Sequence, residues 1–93
     1  MGATVNVTTT ASDVLPYAER QGWLIENKSD AAIQLIWDGT DVTASTGANP
    51  GMTLNPSQRI SATTGARDKG TPWNKVSAIH SSTGNKQLSV FSW

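Results

Sequence analysis

The segment Gly22 to Gly39 constrains the fold more than any other part of the chain, because it sets two strand-length apolar runs on either side of one polar cluster. Gly22-Trp23-Leu24-Ile25-Glu26-Asn27 and Ala31-Ala32-Ile33-Gln34-Leu35-Ile36-Trp37 flank Lys28-Ser29-Asp30, the pattern of a β-hairpin. Side chains alternate between the two faces of a strand, so a slip of one residue would turn every one of them to the wrong side. Centring the turn on Asp30 pairs Trp23 with Trp37, Ile25 with Leu35, Leu24 with Ile36 and Glu26 with Gln34. Like then meets like along the ladder. The face with Trp23, Ile25, Ile33, Leu35 and Trp37 is predicted to form the core. The other face is apolar only where Leu24 meets Ile36, and it calls for cover by a subunit contact or by an overlying segment of the same chain.

Strand signals recur elsewhere. Val5 and Val7 alternate with polar residues between Thr4 and Thr10, which predicts an extended N-terminal arm or edge strand within residues 1–12, ahead of a β-sandwich domain over residues 13–93. Val14-Leu15-Pro16-Tyr17 reads as an edge segment, since Pro16 has no amide to donate to a central ladder. Asp38-Gly39 is a favoured dipeptide of two-residue type I′ turns and would pair Leu35 with Val42. Residues 43–51 are small, polar and broken by Gly and Pro, the composition of a surface loop. Met52-Thr53-Leu54 and Gln58-Arg59-Ile60-Ser61 are short strand candidates, and Ala62 to Pro72 forms a second long loop. A last hairpin is predicted from Val76–Ser81 and Gln87–Phe91 around Thr83-Gly84-Asn85, pairing Ile79 with Val90 and Ala78 with Phe91. Helical periodicity never persists beyond about one turn. The expected class is therefore all-β, a small single-domain β-sandwich or barrel of about seven to eight short antiparallel strands.

Size and composition bear on function. A chain of 93 residues buries only roughly 60–65% of its unfolded surface, and it has no cysteine with which to supplement the core. Association with a partner or with further copies is a natural remedy. Seven basic and seven acidic residues cancel, and charged residues make up 15% of the chain against about 25% in an average protein, so no nucleic-acid partner is expected. Its polarity comes from 22 Ser and Thr residues, which suit exposed strand positions and turns. No apolar run approaches the ~18 residues of a membrane span, and Met1-Gly2-Ala3-Thr4 does not open a signal peptide. No membrane partner is expected.

The residues of common catalytic and metal sites are scattered. His80 is the single imidazole and sits inside a predicted strand, where a packed or rim role is expected. Asp38 and Asp41 bracket Gly39-Thr40 without the ligand spacing of a calcium loop, so Asp38 is read as a turn residue. Glu19 and Glu26 do not form a carboxylate pair in any predicted register, and no Gly-x-Ser-x-Gly elbow occurs. The expectation is a protein that is not an enzyme and takes no cofactor or metal. Of the four tryptophans, Trp23 and Trp37 are read as core, and Trp73, beside Pro72, as interfacial. The candidate interface residues are Leu24, Ile36, Arg67, Lys69 and Trp73.

The order of several of these features resembles small β-sandwich virion structural proteins of tailed bacteriophages, among them capsid-decoration and head-associated proteins. The resemblance runs from about Val14 to Trp93. It is carried by Leu15-Pro16, Arg20 ahead of Trp23-Leu24-Ile25-x-Asn27-x-Ser29-Asp30, the Gly39 turn, the Gly47 or Gly51 loop, Leu54-x-Pro56, Ala78-Ile79-x-Ser81, Gly84 and the closing strand Val90-Phe91-Ser92-Trp93. It implies a structural role in the virion, made in the host cytoplasm: a decoration or cement protein that holds the head by multivalent contacts. The implied partners are the major capsid protein or other virion proteins, with homo-oligomers expected. The alternative is a carbohydrate- or receptor-binding module of a tail or fibre. The charged Ala62–Pro72 loop departs from the pattern.

Overall fold

A computed structural model describes residues 2–43, 47–63 and 74–93, with Thr63 described by its backbone alone. Its eight strands are β1 (Gly2–Val7), β2 (Ser12–Leu15), β3 (Gly22–Asn27), β4 (Ile33–Ile36), β5 (Met52–Leu54), β6 (Arg59–Thr63), β7 (Val76–His80) and β8 (Lys86–Ser92). They form two four-stranded antiparallel sheets, β1-β8-β3-β6 and β2-β7-β4-β5, packed around one core. The chain is all-β, as its alternating patterns predict.

One rule generates the topology. β1 pairs with β8, β2 with β7, β3 with β6 and β4 with β5, so the chain folds back once on itself between β4 and β5 to make a double ribbon. Rolling that ribbon up adds β8 against β3 and β7 against β4. The result is the jelly-roll form of the β-sandwich, in which most connections pass from one sheet to the other.

Both expected hairpins are therefore absent. β3 lies between β8 and β6, whereas β4 lies between β7 and β5 in the opposite sheet. Ile25 pairs with Ile60 and Val90, and Leu35 with Met52 and Ala78, instead of with each other. Likewise Ile79 pairs with Gln34, and Val90 with Ala3 and Ile25. The Asp38-Gly39 hairpin does not form either. Gly39 adopts φ 91°, but Leu35 is bonded to Met52 and Val42 stands in a loop.

The predicted core face is nevertheless correct. Trp23, Ile25, Ile33 and Leu35 are fully or almost fully buried, and the Trp23 and Trp37 rings meet edge-on at 5.7 Å and 68°. Residues that match across a hairpin match equally well across a sandwich, since both arrangements bring the apolar faces of two strands together. Leu24 and Ile36 follow the opposite parity, so they point away from each other on the two outer faces. They make no joint patch.

The corners between sheets expose backbone that needs hydrogen-bond partners, and two buried side chains supply them. Asn27, wholly buried at the end of β3, donates through Nδ2 to the carbonyls of Ala31 and Leu54, each at 2.8 Å. Its Oδ1 accepts from the Ser29 amide at 2.9 Å and the Ser29 hydroxyl at 2.6 Å. Its backbone bonds Gln58 and Ser57, so one residue joins the β3–β4 corner to the β5–β6 turn. The Asn27-x-Ser29 pair noted in the sequence is thus a corner staple. His80 plays the same part between β7 and β8: Nδ1 accepts from the Ser82 amide at 3.1 Å, which leaves the proton on Nε2 for the Gly84 carbonyl at 2.7 Å.

Removing the Asn27 amide leaves buried carbonyls unpaired, so Asn27→Ala is expected to cost about 2–4 kcal/mol. Asn27→Asp, which keeps the acceptor but loses both donors, is expected to lose a similar amount. Urea unfolding of the two variants against the wild type measures it, and a loss below about 1 kcal/mol for both contradicts the staple.

Candidate functional site

Strand parity and register assemble an exposed apolar surface on the outer side of the β1-β8-β3-β6 sheet. In β8, Leu88 and Val90 enter the core, so Phe91 points outwards, and Trp93 beyond the strand continues its parity. In β3, burial of Trp23 and Ile25 turns Leu24 out, directly beside Phe91 in the ladder. Phe91 and Trp93 remain 44% and 53% exposed, large fractions for such side chains. Trp93 is fixed by its backbone, which exchanges bonds of 3.1 and 3.2 Å with Gly22.

Two glycines let these rings lie close to the sheet. A Cβ on Gly2 would stand 2.6 Å from the Phe91 ring, and one on Gly22 would stand 2.7 Å from the Trp93 ring. Aromatic cover of a cross-strand glycine shields backbone that the missing side chain would expose. The next row along the same face, Thr4, Ser89, Glu26 and Arg59, is polar, and Lys28 pairs with Glu26 at 3.3 Å. The pad of Phe91, Leu24 and Trp93 is thus confined to one end.

The outer face of the other sheet is covered by its own chain. The segment between β4 and β5 folds back so that the Val42 amide bonds the Ser77 hydroxyl at 3.1 Å and Gln34 Nε2 bonds the Pro50 carbonyl at 2.8 Å. Val42, Ser77 and Ile79 are buried there. Asn49 holds the segment in shape through Thr43, Thr40 and Asp41. An apolar groove of about 370 Å³ remains at its margin, lined by Leu35, Ile36, Trp37, Asp38, Gly51 and Met52. At its rim the Thr40 hydroxyl and amide both donate to Asp38, which holds that carboxyl below its ordinary range in a bend outside any hairpin.

A polar hollow of about 360 Å³ lies at the end with the staples, lined by Asn6, Lys28, Ser29, Asp30, Asn85, Lys86 and Gln87. Lys86 bonds Asp30 at 2.8 Å and lowers its pKa.

Of the sequence-predicted interface residues, Leu24 belongs to the aromatic pad and Ile36 to the groove on the opposite sheet. Arg67, Lys69 and Trp73 lie outside the described residues. Phe91 was missed, and Trp93 was not singled out. Their spacing of two, out of phase with Leu88 and Val90, carried the signal, but it has a meaning only once the core-facing parity of β8 is known. Among the described residues no group of three or more His, Cys, Asp or Glu is placed to hold a metal ion. No protein-family model matches the chain, and no curated protein matches it.

The groove depends on a close backbone approach. Gly51 has φ 61° and a Cβ there would overlap the Leu35 carbonyl, whereas Gly39, at φ 91°, has open space around it. Both replacements by alanine meet the left-handed penalty of roughly 1–2 kcal/mol, and only Gly51→Ala adds a clash. Thermal unfolding is expected to rank Gly51→Ala well below Gly39→Ala; equal losses contradict the packing of the β4–β5 segment.

Proposed function

We propose that this chain is a structural protein of a tailed-phage virion, a decoration or cement protein that docks on the major capsid protein or another virion protein. The observation that carries the reading is the pad of Leu24, Phe91 and Trp93, on which no other described segment folds. Tryptophan is favoured at the energetic centres of interfaces, and rings already seated on the sheet lose little freedom when a partner covers them. The described part of the β4–β5 segment covers much of the second sheet's outer face, whereas the pad on the first sheet stays exposed to a partner. Jelly rolls serve in capsid and in lectin domains alike, so the fold admits the role and the surface argues for it. The resemblance of the Asn27-x-Ser29-Asp30 and Val90–Trp93 segments to virion proteins points the same way.

Mass spectrometry of purified particles is expected to find the chain at a stoichiometric level; its absence from intact particles sinks the reading. On particles stripped of it, wild-type protein is expected to rebind. Phe91→Lys and Leu24→Lys, both at outward positions, are expected to weaken rebinding by at least about tenfold while keeping the fold.

A second reading, a carbohydrate- or receptor-binding module of a tail or fibre, is favoured by the polar hollow. Asn6, Asn85 and Gln87 are among its lining residues, and side-chain amides are suited to sugar hydroxyls. Glycan-array binding lost in Asn85→Ala and Gln87→Ala, yet kept in Phe91→Lys, is the outcome that selects it.

A further inference from the structure

Four strands stand at sheet margins, and three carry devices that discourage further pairing. A free edge displays unpaired N–H and C=O groups and is blunted by charge, proline, shortness or a bulge. β2 contains Asp13, loses register between Asp13 and Leu15, and runs into Pro16. β5 has three residues and lies between Pro50 and Pro56. β6 opens on Arg59. β1, Gly-Ala-Thr-Val-Asn-Val, has none of these: it is six residues long, uncharged, free of proline and in unbroken register with β8. Among the described residues no strand pairs with its outer edge.

We propose that this edge of β1 pairs antiparallel with β1 of a second copy, joining two β1-β8-β3-β6 sheets into one sheet of eight strands. Two observations select a second copy as the occupant. First, a two-fold contact sets a strand against itself, which like charges would oppose, and β1 has none. Second, the apolar layer is unsealed at this margin: Ala3 and Val5 share the inward parity of buried Val7, yet Ala3 is exposed and Val5 only half-buried. A two-fold axis normal to the sheet preserves that parity. It sets Ala3 and Val5 of one copy beside those of the other, and leaves Thr4 and Asn6 towards solvent. The proposal concerns self-association, and stands whether or not the aromatic pad docks on a capsid.

A six-residue seam belongs at the small end of interfaces, so the dimer is weak and depends on concentration. Sedimentation velocity of the full chain from about 10 µM to about 1 mM is expected to show monomer giving way to dimer. Thr4→Lys, an exposed change that blunts the edge, is expected to raise the dimer Kd by about tenfold or more. Successive residues of an edge strand point their N–H groups alternately into the sheet and outwards. Of Ala3→Pro and Thr4→Pro, one is therefore expected to weaken the fold, and the other to leave a cooperatively folded chain that stays monomeric throughout. A wild type that is monomeric at every concentration overturns the proposal. So does a dimer whose Kd is unmoved by Thr4→Lys.

Discussion

The side-chain amide of Asn27 is the constraint around which the sandwich is arranged. A jelly roll must carry its chain repeatedly from one sheet to the other, and each crossing turns backbone polar groups away from a ladder. At the β3–β4 crossing, Asn27 meets the need from within: two donors and one acceptor are all used, and two of its partners belong to its own corner while Leu54 belongs to the opposite sheet. His80 closes the β7–β8 crossing at the same end. In a domain of this size without disulfides, satisfied polar groups at the corners matter as much as apolar area, because one unpaired buried group costs a sizeable part of the whole stability.

Fixing that end leaves the two outer faces with different fates. The described residues of the β4–β5 segment lie over their own sheet, where Val42 and Pro50 find Ser77 and Gln34. No comparable cover lies on the β1-β8-β3-β6 sheet among the described residues. The aromatic residues there cannot turn inwards without reversing β8, whose Leu88 and Val90 fill the core. An apolar outer pad follows from strand parity, and the glycines opposite the rings keep it flat.

Much of this was legible in the sequence, though the pairing was not. Local strand signals located most of the strands, including short β5, and marked Val14-Leu15-Pro16-Tyr17 as an edge segment, of which β2 takes the part up to Leu15. They also separated core from surface within β3 and β4. They did not say which strands share a sheet, because apolar side chains meet in the same way across a hairpin and across a sandwich. The distinction lies in hydrogen bonds to β6, β7 and β8, which are distant in sequence and carry no local mark. The error spread to the candidate site: Leu24 and Ile36, matched as neighbours, sit on opposite outer faces. Phe91 escaped notice for the same reason, since pairing it with Ala78 placed it in the wrong sheet.

The pad and the β1 edge are physically coupled, because Gly2 belongs to both. It is the residue over which the Phe91 ring lies, and it opens the strand whose edge is free. A two-fold normal to the sheet leaves both outer faces on the same side, so a β1–β1 dimer presents two aromatic pads in one direction. Each pad is small, and a single one would dock weakly. Two pads held at a fixed spacing convert the second contact into an intramolecular event, and affinity then multiplies wherever the target repeats at that spacing. A shell of identical subunits is such a target, whereas a lone receptor is not. The weak self-association expected of a six-residue seam is compatible with the proposed role, in which a repeated surface would concentrate the copies.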